Sequence, residues 1–134
     1  MAFDINEIKS QLTYGGARQN QFQVQIHNPA NSSAFLKTPF MVSAASLPAS
    51  DIGTIPVYYF GRAMKEPGDR TFGSWTVNVY NDEDFLIRNA MEEWSNQINR
   101  FRRNIREISN PKSSATVTQF SKTGAKIRTY EFTG

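Results

Sequence analysis

A chain of 134 residues with a formal net charge of +3 and no cysteine supports one domain with a modest core. It excludes disulfides and thiolate metal sites, and its charge is too small to argue for nucleic acid by itself. The lack of cysteine is compatible with assembly in a reducing cytoplasm. Met1 to Glu7 reads as neither a basic flank nor an apolar signal core, and no stretch approaches the ~20 apolar residues needed to cross a bilayer.

Taken in order, Ile5, Ile8 and Leu12 fall on one side of a short helix that Gly15-Gly16 would end, an N-terminal arm over about residues 1–16 that is expected to be flexible. Phe22, Val24 and Ile26 alternate with Gln21, Gln23, Gln25 and His27, which predicts a strand with one buried and one wet face. Asn28-Pro29 closes it. A turn-rich piece from Asn28 to Ser33 is expected to lead into a second strand near Phe35-Leu36-Lys37, with Phe40 to Ala44 as a third. From Ser46 to Gly68 the chain carries Pro48, Pro56 and Pro67, yet also Ile52, Ile55, Val57, Tyr58, Tyr59 and Phe60. Proline in an apolar run points to an edge strand or an extended arm, here about residues 46–68, and so many apolar groups must dock on something. The plain reading has them cover the protein's own core.

Gly68-Asp69-Arg70 is expected to turn the chain, glycine supplying φ > 0 and Asp69 bonding amides ahead of it. Trp75, Val77 and Val79 then share one face of a strand. Asn81 is placed as a helix N-cap, with Asp82, Glu83 and Asp84 in a first turn where the dipole favours negative charge. Ile87, Met91, Trp94, Ile98, Phe101 and Ile105 recur at spacings of four and three, predicting one amphipathic helix over about residues 82–108, stopped by Asn110-Pro111. Trp94 and Met91 suit a ligand-contacting pair, but a stripe at helical spacing is the ordinary signature of a core. Arg100, Arg102, Arg103 and Arg106 crowd the last turns as a basic patch. They read either as phosphate contacts or as cations placed at a helix C-terminus and a subunit interface. Ala115–Phe120 and Ala125–Phe132 form a hairpin about Ser121-Lys122-Thr123-Gly124, with one polar face.

Catalysis finds little support. His27 is the single histidine, on the polar phase of a strand, so a serine hydrolase would lack a base and a zinc site would lack ligands. Asp82, Glu83 and Asp84 suggest a hard-cation site, but three acids at a helix start more simply satisfy open amides. No glycine-rich phosphate cradle is present. The reading is no enzyme, no catalytic residue, no metal and no cofactor.

The string Gly68-Asp69-Arg70-Thr71-Phe72 running into Trp75-Thr76-Val77 and Asn81-Asp82-Glu83 resembles the tail-tube proteins of T-even-type contractile-tailed bacteriophages. Ala17-Arg18 with Asn20, Phe22 and Val24, then Ala44 to Ala49, then Ile55-Pro56-Val57 match the same family in the same order. The resemblance implies a mainly β, sandwich- or barrel-like single domain over 1–134 with one flanking helix, whose hexameric rings stack into a hollow tube. That tube penetrates the host envelope and conducts the genome. It implies as partners other copies of the chain, the tail sheath, baseplate and tail-terminator proteins, and genomic DNA passing through the lumen. There is no stable membrane insertion, and the location is the virion tail after assembly in the host cytoplasm. It also shifts the apolar arm toward contact with a neighbour, with Leu47, Ile52, Ile55, Val57, Tyr58, Tyr59, Phe60, Arg62, Lys65, Asp69 and Arg70 as interface candidates. Asp69 and Arg70 are expected to make an ion pair or hydrogen-bonded turn, within a subunit or between subunits. Family members continue past Gly134 with a further strand that this chain is expected to lack. A tube-initiating baseplate protein and a type VI secretion tube protein share the fold. From another class, a small basic β-rich nucleic-acid-binding module remains the alternative, with the four arginines as its contacts.

Overall fold

The computed structural model describes residues 4–134; Met1, Ala2 and Phe3, and with them the start of the expected N-terminal arm, lie outside the described residues. The chain divides into two compact units, one running up to Phe40 and resuming over Asn81–Gly134, the other covering Met41–Tyr80. Strands dominate, with an amphipathic helix flanking them, so the expected mainly β class holds; all the sheets described are open.

In the first unit, α1 (Ile5–Gln11) starts at Asp4, whose carboxylate accepts from the Asn6 amide at 3.0 Å. A single 3-10 turn over Thr13–Gly15 follows, where Tyr14, Gly15 and Gly16 all take positive φ. β1 (Phe22–Ile26), β6 (Ser114–Phe120) and β7 (Lys126–Thr133) make an antiparallel sheet in the order β1-β6-β7. Val24 stands opposite Val117 in the register, and both are buried, which fixes the core face of that sheet. Gly124, at φ 85°, closes the β6–β7 hairpin where the sequence places it.

Phe35-Leu36-Lys37, expected as a strand, lies inside α2 (Ser32–Met41). Asn31 explains the difference, because its side-chain oxygen accepts from the Ser33 amide at 3.0 Å and starts a helix whose Ala34 and Thr38, four apart, are buried. Pro39 sits within α2 and has no N–H to give. Thr38 donates its hydroxyl to the Ala34 carbonyl at 2.6 Å, satisfying itself within the buried turn.

The helix α3 covers Leu86–Ile98, shorter at both ends than the expected 82–108. Its start is displaced because Phe85, not Asn81, precedes it, in a left-handed conformation at φ 50°. Asp82, Glu83 and Asp84 form the loop before it. The Lys37 ammonium lies 2.8 Å from Asp82 Oδ2 and 2.8 Å from Asp84 Oδ2. Residues two apart on a helix point apart, so one cation bridges both carboxylates only if this segment is a loop. The helix ends at Ile98 because the chain doubles back, the Glu107 and Ile108 amides both donating to the Gln97 carbonyl. Ile87 and Ala90 are buried, and Met91 and Trp94 are half-buried on the same side, so the amphipathic stripe holds over about two turns, while Ile98 is exposed. Phe101 and Ile105 continue its spacing by coincidence and are exposed.

Asn28 joins these pieces. It is 3 % exposed; its Nδ2 donates to the Ala90 carbonyl of α3 at 3.0 Å, and its Oδ1 accepts from the Ala30 and Asn31 amides at 2.9 and 3.3 Å. Trp94 adds a second tie from α3, donating to the Pro111 carbonyl at 3.1 Å.

In the second unit, β2 (Val42–Ala45) pairs with β5 (Val77–Val79), and β3 (Ser50–Tyr59) pairs with β4 (Arg62–Phe72) as a long hairpin. Trp75, Val77 and Val79 alternate as half-buried positions with exposed Thr76 and Asn78, matching the expected single face.

Asn28→Ala leaves one buried and two part-buried backbone groups without their partner and is expected to cost about 2–3 kcal/mol in urea denaturation, somewhat more than the roughly 2 kcal/mol of Val24→Ala, which removes only packed apolar volume. The Lys37 cluster has a defined pH signature. Hydrogen bonds to Asp82 and then Asp84 raise the Lys37 pKa above its ordinary 10.5, and the hydrogen bond from Lys37 lowers both carboxyls below their ordinary 3.8. The carboxylates therefore stabilise the fold above about pH 4, and this contribution is lost as pH falls through their lowered values; Lys37 contributes below 10.5 and loses its share as pH rises through its raised value. Lys37→Met is expected to flatten both limbs of a stability–pH curve measured by thermal melting.

Candidate functional site

Pro56 and Pro67 do not keep the Ser46–Gly68 segment from pairing. Pro56 faces Lys65 and Pro67 faces Thr54 in the β3–β4 ladder, and a two-stranded ribbon has only edge strands, where a missing N–H is tolerated if it points outward. The arm is thus a hairpin rather than a loose extension. Its turn is the pair Phe60-Gly61, with φ of 46° and 73°, the handedness that suits the twist of two-residue hairpins.

Gly68-Asp69-Arg70 is not the turn. Gly68 has no positive φ and sits within β4 at a register shift: from Ile52↔Arg70 to Thr54↔Pro67, β4 advances three residues while β3 advances two. The extra residue is a bulge. Glycine serves close approach here, because a Cβ at Gly68 would lie 3.0 Å from Ile55 Cγ1 and 3.2 Å from the Gly53 carbonyl oxygen.

Register sorts the candidate residues onto two faces. Ile55, Val57 and Tyr59 share one face with Arg62, Met64 and Glu66; Ile52, Pro56 and Tyr58 share the other with Ala63, Lys65 and Arg70. Leu47 lies outside the hairpin, between β2 and β3, and Asp69 occupies the bulge. All eleven candidates are exposed, from Val57 at 45 % to Phe60 at 88 % among the apolar ones. Within the second unit, these groups are therefore not covered by its own residues. Among the described residues neither Asp69 nor Arg70 enters an ion pair, so the expected Asp69–Arg70 contact is not made within the subunit. Met64 and Phe72, also exposed, belong with the group; sequence reasoning passed over them, although Met64 directly faces Val57.

Phe60 is the informative member. A non-glycine residue at positive φ carries backbone strain, and asparagine or glycine is the ordinary choice at that turn position. Its ring packs edge-on to Tyr59 at 4.5 Å and is otherwise exposed.

The arginine cluster lies beyond α3 rather than in its last turns. Arg100 pairs with Glu107 at 2.9 Å, and Arg106 donates to the Ile108 and Ser109 carbonyls, so both serve to close the 100–108 loop. Arg102 and Arg103 follow Phe101, which is 95 % exposed. His27 is exposed and meets Phe35 edge-on at 5.7 Å. Among the described residues no group of three His, Cys, Asp or Glu is arranged to hold a metal ion, and no helix is long and apolar enough to cross a membrane.

The chain is a mainly β protein with open sheets and an apolar hairpin exposed on its second unit. A family model described as phage tail tube protein matches residues 17–130, and the chain belongs to that family. Relatives include the tail tube protein gp19 of Enterobacteria phage T6 and that of Enterobacteria phage T4, each 38 % identical over 78 residues, or 58 % of this chain and 45 % of the relative. The tail tube protein of Serratia phage KSP90 is 30 % identical over 100 residues, 71 % of this chain and 56 % of the relative. The chain thus spans about half the length of the curated relatives it matches.

Gly68→Ala places a methyl against backbone and is expected to destabilise the hairpin by about 1–2 kcal/mol, read as faster amide hydrogen exchange confined to β3 and β4.

Proposed function

We propose that this chain is a structural subunit of the inner tube of a contractile phage tail. Its hexameric rings stack into a hollow tube that penetrates the host envelope and conducts the genome, and its role is mechanical, not catalytic. Membership of the tail tube family carries the reading. The exposed apolar hairpin supports it, because a patch of that kind on a stable protein belongs against a partner.

In this assembly the hairpin, with Leu47, Ile52, Ile55, Val57, Tyr58, Tyr59, Phe60, Arg62, Lys65, Asp69 and Arg70, docks on adjacent subunits or rings. Asp69 and Arg70 find their charged partners across that interface. The sheet order leaves β1 and β7 as edges, and ring closure pairs such edges between copies into a continuous inner barrel whose polar face lines the lumen. Sheath, baseplate and terminator proteins are the outer and end partners, DNA passes through transiently, and the place of action is the virion tail, built in the host cytoplasm.

Negative-stain electron microscopy of the purified protein at moderate salt tests the reading. Hollow rings or tubes that survive nuclease treatment are expected; monomers that assemble only on added nucleic acid would overturn it in favour of a nucleic-acid-binding module contacting phosphates through Arg102 and Arg103. Phe60→Asn separates contact from fold. It should stabilise the turn by about 1 kcal/mol while lowering the assembled fraction about tenfold in sedimentation.

A further inference from the structure

In the first unit, two surfaces are left open that fit each other. The first is α1: Ile5, Ile8 and Leu12 line one side of it, each at least half exposed, and no residue of the helix is buried. The second is a cleft of about 860 Å³ between the Thr13–Arg18 connector and the β6–β7 turn, lined by the apolar Phe120 and Ile127 and by the cationic Arg18 and Lys122. No α1 residue lines that cleft.

We propose that the cleft receives α1 of a second copy of this chain. Charge favours the match: the cleft presents Arg18 and Lys122 with no acid among its lining residues, whereas the helix and its cap carry Asp4 and Glu7 against Lys9. Size favours it as well, since seven helical residues span about 10 Å and three aliphatic side chains are the only groups that need cover. The chain's own helix is poorly placed to enter. The connector forms one wall of the cleft, and three successive positive-φ residues, Tyr14, Gly15 and Gly16, fix its path, so α1 would have to double back across its own tether. A neighbour's helix has no such constraint, and exchanging one identical element head to tail closes naturally into a ring. This inference rests on the ring assembly proposed above and names an element that holds neighbouring subunits together.

Because the chain has no cysteine, Ile8→Cys together with Ile127→Cys gives a cross-linking test without background. After mild oxidation, non-reducing electrophoresis is expected to show a ladder from dimers toward a closed ring, absent from either single variant. Arg18→Glu with Lys122→Glu in the same background should slow the cross-link about tenfold. A monomer holding an internal disulfide would overturn the proposal, as α1 would then fill its own cleft. Rings seen by electron microscopy without the cross-link would overturn it too, while leaving the tube reading intact; absence of any rings would sink both. Circular dichroism of the double variant confirms that the fold survives, and both substituted positions are exposed.

Discussion

One buried amide holds the first unit together. Asn28 sits where β1 ends, reads two amides of the turn that follows, and reaches a helix carbonyl 62 residues later. A side chain with both a donor and an acceptor is required, because the turn offers only N–H groups and α3 offers only a carbonyl. Leucine would fill the space and satisfy neither side. With Asn28 placed, Asn31 falls where it can start α2, and α2 brings Lys37 to the two carboxylates that precede α3. The entry to α3 is thereby set by charge, and its packing by Ile87 and Ala90. The core itself is small, with Val24, Ala34, Ile87, Ala90 and Val117 as its buried apolar members among the described residues. In the ring assembly proposed above, a subunit with so little interior would gain much of its stability from association.

Strand and hairpin positions were legible where pattern is local. Phe22-Gln23-Val24 alternates, and the Ser121–Gly124 turn carries its own glycine, so β1, β6 and β7 follow from short-range chemistry. The errors arose where a distant group decided the outcome. Lys37 lies 45 residues before Asp82, and nothing near the three acids shows that a cation from elsewhere will hold them in a loop. Likewise Gln97 accepts from Glu107 and Ile108, a fold-back that no 3.6-residue period can register. Gly68 illustrates a subtler limit. Its presence marks a special backbone site, yet the same residue serves a turn by its φ or a bulge by its missing Cβ, and only the register tells them apart. The apolar content of the hairpin was legible; its shape and the sorting of residues onto two faces were not.

If the hairpin docks on a neighbour as proposed, its folding and its assembly are coupled. An isolated two-stranded ribbon is marginal in water, and β3 is exposed along its whole length. Its turn holds Phe60 in a conformation that asparagine would adopt at less cost. In the proposed interface, a side chain held at that cost would serve as the anchor at the tip.

The two prolines and the bulge carry a last consequence. A ribbon of ten or eleven residues per strand offers two long rims, which are ready templates for cross-β growth when a protein accumulates to high concentration. Pro56 and Pro67 interrupt the row of outward donors, Lys65 adds charge beside them, and the extra residue at Gly68-Asp69 sharpens the local twist. Rims so blunted are poor seeds for fibrils, which leaves the two side-chain faces as the surfaces through which the proposed contacts with neighbours would form.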